Sequence, residues 1–210
     1  MKPLGKPIKW DSLTAYAVGL ITTDGNLSAD KCHMDFTSKD KGLVQIFKKC
    51  LNLKNKIGRK TRCKEKIKKY FRIQFGNVIL YKWLVNVGLM PNKSRRIGPL
   101  KIPKRYFFNF LRGHLDGDGC IRKFQDPVYP NSQRLYTIFH SASLAHLKWL
   151  QQRINFRLNI HGFVELSSRE YRLTFAKKES LILLPKIYFD KKVPCLKRKY
   201  DIAKSVLNFN

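Results

Sequence analysis

Ala17-Val18-Gly19-Leu20-Ile21-Thr22-Thr23-Asp24-Gly25 and Leu111-Arg112-Gly113-His114-Leu115-Asp116-Gly117-Asp118-Gly119 are two versions of one stretch, each ending in Asp-Gly. Ahead of each runs apolar and aromatic sequence in which Leu13, Tyr16, Ala17 and Leu20, and then Phe107, Phe110, Leu111 and His114, fall at helical spacing. Both stretches therefore read as helices that close on a carboxylate, Asp24 or Asp118. The glycine after each is expected to take a positive φ and stop the helix. A helix C-terminus carries partial negative charge, an unfavourable place for an acid. Two acids so placed, in a chain of formal charge +29, point to a cation that joins them. Gly19 and Gly113 hold the same motif position and are the small residues that two helices need in order to pack closely side by side.

The charge comes from 43 Lys and Arg against 14 Asp and Glu in 210 residues, an imbalance that calls for a polyanionic partner. Nucleic acid fits better than a membrane surface. The longest strictly aliphatic run is Leu181 to Leu184, and no segment is built to span a bilayer. Met1 to Trp10 carries no apolar stretch after its lysines, so the protein is expected inside the cell, in the cytoplasm or an organelle matrix with DNA. The apolar content of 43% is enough for a buried core without disulfides. The five cysteines form no Cys-x-x-Cys pair and are expected to be reduced and mostly buried; Cys32-His33 lacks a second pair at zinc-ligand spacing.

Between the two copies the order of elements can be read from periodicity. Leu27 to Thr37 alternates as one half-buried strand, Leu43 to Leu53 returns to helical spacing, and Asn77 to Val87 is a helix stopped by Gly88 and Pro91. Ten of the nineteen residues from Lys54 to Arg72 are basic, and Ile57 to Cys63 with Tyr70 to Phe75 form a candidate hairpin there. Lys60, Arg62 and Lys64 share one face of it at period two.

The second half repeats this order: Phe139-His140-Ser141-Ala142-Ser143 answers Phe36-Thr37-Ser38-Lys39, and Tyr171-Arg172-Leu173-Thr174-Phe175 answers Phe71-Arg72-Ile73-Gln74-Phe75. Asp118 lies 94 positions after Asp24, Leu147 lies 104 after Leu43 and Arg172 lies 100 after Arg72, which locates a longer loop near Lys123 to Gln133. Two repeats, 1–100 and 101–210, are expected, joined by a linker near Ile97 to Lys104.

The doubled motif, the strand order that follows it and the tails Gly88-Leu89-Met90-Pro91-Asn92-Lys93-Ser94 and Leu196-Lys197-Arg198-Lys199-Tyr200 resemble the LAGLIDADG family of homing endonucleases in its single-chain, two-motif form. The second motif is the closer match. The first departs at Thr22, where the family often has an earlier acid, so no catalytic role is carried onto Asp116.

The resemblance implies an α/β (α+β) fold of two pseudo-twofold repeats, each with an antiparallel β-sheet saddle for DNA and helices packed behind it. It makes Asp24 and Asp118 the catalytic, metal-binding acids, and the backbone carbonyls of Thr23 and Gly117 further ligands. Hard oxygen ligands of this kind favour Mg²⁺, with Mn²⁺ able to substitute. The family has a basic residue after the last helix of each half, here Lys93 and Lys199, with Lys197 the alternative. A polar residue for the water network falls near Ser38 and, in the second half, near Ala142, which cannot serve.

A sheet along the major groove would read base edges through period-two side chains while Lys and Arg hold phosphates. Arg59, Lys60, Arg62, Lys64, Arg72, Gln74, Arg169 and Arg172 are the candidates, and the face each occupies is a question of register. The expected function is metal-dependent, site-specific cleavage of a long, asymmetric DNA duplex by a monomer. The alternatives are a DNA-binding regulator with little or no catalysis and a group I intron RNA maturase, either on the same fold.

Overall fold

A computed structural model describes residues 7–61 and 69–207. Arg62, Lys64 and most of the basic hairpin's tip lie outside the described residues. The first half runs α1 (Ser12–Asp24), β1 (Gly25–Leu27), β2 (His33–Ser38), α2 (Lys41–Cys50), β3 (Ile57–Lys60), β4 (Tyr70–Gly76) and α3 (Val78–Val87). The second runs α4 (Phe107–Asp118), β5 (Gly119–Gln125), β6 (Gln133–Ser141), α5 (Leu144–Leu158), β7 (Phe163–Ser167), β8 (Glu170–Phe175) and α6 (Lys177–Ile187), with α7 (Lys197–Leu207) added. The two four-stranded sheets have the orders β1-β2-β4-β3 and β5-β6-β8-β7, antiparallel throughout. The fold is thus α+β with one topology used twice.

Local chemistry sets the helix boundaries. Asp11 caps α1 by accepting from the Thr14 amide at 2.6 Å, and Asn77 caps α3 through the Leu80 amide at 2.9 Å. Gly88 ends α3 with φ +116°. The motif helices end differently from expectation: Gly25 has φ −86° and Gly119 φ −99°, both extended. Here glycine is needed because the chain folds straight back over the helix, and a Cβ on Gly25 would lie 2.7 Å from the Ile21 Cα.

Three other expectations change. Leu27 to Thr37 is a hairpin, β1 and β2, with Gly25 opposite Phe36. The extra residues of the second half lengthen the β5–β6 hairpin, whose turn is organised by Asp126 accepting from the Val128 amide at 2.9 Å and pairing with Arg134. The connection near Ile97 to Lys104 is no loose linker, since Ile97, Leu100 and Ile102 are buried.

The core lies between the sheets and the helices, with the middle turns of α1 and α4 enclosed at its centre; Ala15, Tyr16, Leu20, Phe110, Leu111 and Leu115 are all inaccessible to solvent. Cys32, Cys50, Cys120 and Cys195 are free and half-buried rather than buried, and burial pushes the Cys50 thiol up to about 12. Among the described residues no helix is long and apolar enough to cross a membrane.

Candidate active site and nucleic-acid interface

The two motif helices touch through backbone. A Cβ on Gly19 would lie 2.2 Å from the Phe110 carbonyl oxygen and 2.6 Å from the His114 amide nitrogen; one on Gly117 would lie 2.0 Å from Thr23 Oγ1. Only hydrogens at these positions let the helices come so close, and the contact runs down to their C-terminal ends. Asp24 and Gly117 therefore line one cleft, of about 730 Å³, while Thr23 and Asp118 line a neighbouring cavity of about 180 Å³. Asp118 is exposed to solvent. Its carboxyl is raised to about 6, first by lost hydration and then by Asp24 beside it.

Both candidate lysines are buried at these helix ends. Lys93 donates from Nζ to the carbonyls of Thr23 (3.3 Å) and Gly25 (2.5 Å), and Lys199 to those of Leu115 (2.6 Å) and Asp116 (2.9 Å). Each supplies positive charge where the helix has unpaired carbonyls and an acid. Burial lowers both pKa values to about 8, with nearby carboxylates opposing the shift. Lys197 is instead exposed and pairs with Asp201 at 2.7 Å.

Asp116 is fully buried and structural. It accepts from Tyr16 Oη at 2.8 Å and from the Leu196 amide at 2.7 Å, tying α1 and the start of α7 to α4. Arg112 does the same for the α6–α7 connection, donating to the carbonyls of Ile187 (2.7 Å), Asp190 (2.9 Å) and Val193 (2.6 Å).

His114 stacks on His146 with centroids 5.3 Å apart and their Nε2 atoms at 3.2 Å. His146 Nδ1 meets the Gly98 carbonyl at 3.0 Å and so must carry its proton; His146 Nε2 then accepts from His114, whose buried Nδ1 has no partner among the described residues. Both rings are thus held neutral, their pKa values lowered chiefly by burial.

Among the described residues no group of three or more His, Cys, Asp or Glu side chains is arranged to hold a metal ion. The donors available at the helix ends are two carboxylates and backbone carbonyls. That set is all oxygen and leaves room for water and phosphate, as a hard divalent cation requires. The mutual repulsion that raises Asp118 is what such a cation would relieve. The Thr23 carbonyl is already shared with Lys93.

Strand register sorts the candidate DNA contacts. Lys60 pairs with Tyr70, and Arg72 pairs with Thr37, so Lys60, Tyr70, Arg72 and Gln74 share the outward face of the first sheet. Arg59 pairs with Phe71 on the opposite face, its guanidinium 4.5 Å above that ring. Arg172 is outward on the second sheet, opposite His140 and Glu165. Arg169 is exposed in the β7–β8 turn.

Sequence reasoning passed over Asn26, Asp35, Thr37 and Arg198 in the larger cleft, and His140 and Glu170, 2.8 Å apart, in the smaller one. The alternation of β2 was the available signal for Asp35 and Thr37. The expected inequality of Ser38 and Ala142 is corrected by register. Gly25 pairs with Phe36 and Gly119 with Phe139, so Ser38 corresponds to Ser141, and each hydroxyl accepts a backbone amide two residues on, at 3.2 and 3.1 Å.

In sequence, neither a family model nor a curated protein matches the chain. In structure it is similar to the I-LtrWI LAGLIDADG homing endonuclease bound to target DNA (16% identity, TM-score 0.59, covering 94% of this chain and 90% of that one). It is also similar to I-DmoI in complex with DNA and Mn (18%, 0.51, 87% and 96%). A third likeness is to full-length DUF199/WhiA from Thermatoga maritima (16%, 0.58, 96% and 63%). The chain therefore has the two-repeat LAGLIDADG fold, one shared by endonucleases and by DUF199/WhiA.

Proposed function

We propose that this chain is a site-specific double-strand DNA endonuclease that acts as a monomer on a long, asymmetric duplex with Mg²⁺, for which Mn²⁺ can substitute. The observation that carries the reading is the pair Asp24 and Asp118 at adjoining helix ends, each backed by a buried lysine, between two sheets that present basic and polar side chains outward. DNA-bound endonucleases among the structural neighbours, one of them with Mn, support it.

The bound metal would lower the pKa of the attacking water and neutralise charge on the leaving oxygen. The chain's own part is to hold two carboxylates close together and to offset the charge this accumulates. Among the described residues Lys93 and Lys199 each spend two N–H donors on carbonyls, which leaves a third for a phosphate oxygen or its water. The outward rows of the sheets would set register on the duplex, and their different side chains make the preferred site asymmetric. Incubation with a plasmid library carrying candidate sites, with Mg²⁺ and with EDTA, tests the reading. Metal-dependent cutting at one long site is the expected result; tight site binding without cutting would replace it with a regulator of the same fold.

A further inference from the structure

Asp35 is only 8% exposed although it lies on the outward face of the first sheet. Three donors converge on it: Arg72 Nη2 at 3.1 Å and Asn26 Nδ2 at 3.3 Å on one oxygen, and Thr37 Oγ1 at 3.3 Å on the other. Asp35, Asn26 and Thr37 line the cleft that holds Asp24. The Asp35 oxygens are already taken by donors of the chain itself, so the acid is placed to act through the groups it holds.

Resting on the DNA-binding reading above, we infer that Asp35 is a positioning residue that presets Arg72 to read a guanine in the half-site beside Asp24. An arginine fork recognises guanine by donating two parallel N–H groups to O6 and N7 in the major groove, which requires the guanidinium plane to be fixed. A long, free arginine would lose rotamer freedom on binding; one already held by a carboxylate has lost it in folding. Asp35 engages Nη2 and Nε is buried, so Nη1 and the second N–H of Nη2 are the pair left for a ligand. Asn26 and Thr37 in turn hold the carboxylate, so the orientation does not depend on a single contact.

The arrangement is not repeated in the second sheet. Asp35 precedes Phe36, which pairs with Gly25; the residue preceding Phe139, which pairs with Gly119, is Ile138. Arg172 occupies the register of Arg72, but Ile138 stands in that of Asp35; the acid opposite Arg172 is Glu165, exposed on the edge strand β7 rather than buried in a ring of donors. The two half-sites should therefore differ at this base pair, with the stricter guanine preference on the Asp24 side.

The test equilibrates the wild-type chain, Arg72→Ala, Asp35→Asn and Asp35→Ala with a randomised duplex pool in EDTA, followed by sequencing of the retained duplexes. Wild type should show one guanine column that Arg72→Ala abolishes. Both Asp35 variants should weaken that same column about 10-fold and leave the others as they were. Asp35→Asn keeps the size of the side chain, so the arm stands even where Asp35→Ala fails to fold by circular dichroism. An Arg72-dependent column that survives in Asp35→Asn overturns the inference alone, as does equal blurring of every column, the mark of a structural role. A wild-type chain that enriches no sequence overturns the DNA-binding reading and the inference together.

Discussion

Gly113 meets Gly19 with no side chain between them: a Cβ on Gly113 would lie 3.1 Å from the Gly19 Cα and 2.0 Å from the Tyr16 carbonyl oxygen. The obstructing atoms are backbone on a buried helix and cannot swing aside. Gly113→Ala and Gly19→Ala are each expected to cost more than about 3 kcal/mol, at the upper end for overpacking. Urea unfolding followed by circular dichroism measures this, and a loss below about 1 kcal/mol would mean that the helices separate without penalty.

Asp24→Asn and Asp118→Asn should each retain duplex binding and lose double-strand cleavage by about 100-fold or more, because a neutral amide is a poor ligand for a hard cation. Gel shift in EDTA and linearisation of a target plasmid in Mg²⁺ separate the two effects. Wild-type cleavage by either variant would remove that residue from the active site.

The His114–His146 pair makes stability depend on pH in a definite direction. His146 titrates at about 4 in the folded chain against 6.5 normally, so between those values the unfolded chain binds more protons. Stability contributed by the neutral ring is complete above pH 6.5 and falls as pH is lowered toward 4, by about 3 kcal/mol in all for such a shift. His114 shifts in the same sense. The difference between wild type and His146→Gln in urea midpoints from pH 7 to 4.5 should follow this fall, and parallel profiles would contradict it.

Replacing Lys60, Arg62 and Lys64 together with glutamine should weaken duplex binding and reduce the slope of log K against log salt by up to about 3, since each phosphate contact contributes about 0.9. Titration at several salt concentrations measures it. An unchanged slope would take this hairpin off the DNA.

The buried lysines were visible in the sequence as tails after the last helix of each half, and the glycine pair as a shared motif position. Their surroundings were not visible, because Lys93 reaches a carbonyl seventy residues earlier and Lys199 one more than eighty earlier. Asp35 shows the same limit. Alternation put it opposite Met34 and Phe36, yet its partner Arg72 enters only when β4 pairs with β2.

By itself the sequence determined the two motif helices, the repeat, the strong basic charge and the acids Asp24 and Asp118 at the helix ends, since all of these are carried by spacing and residue type within one stretch or its copy. The tertiary structure alone decided how the stretches meet. Strand pairing turned Lys60 rather than Arg59 to the outward face of the first sheet, because a one-residue change of register turns every side chain to the other side of a sheet. Packing of α1 on α4 then set the two acids beside each other and raised the Asp118 carboxyl, first through lost hydration and then through repulsion by Asp24, which α4 alone would not feel.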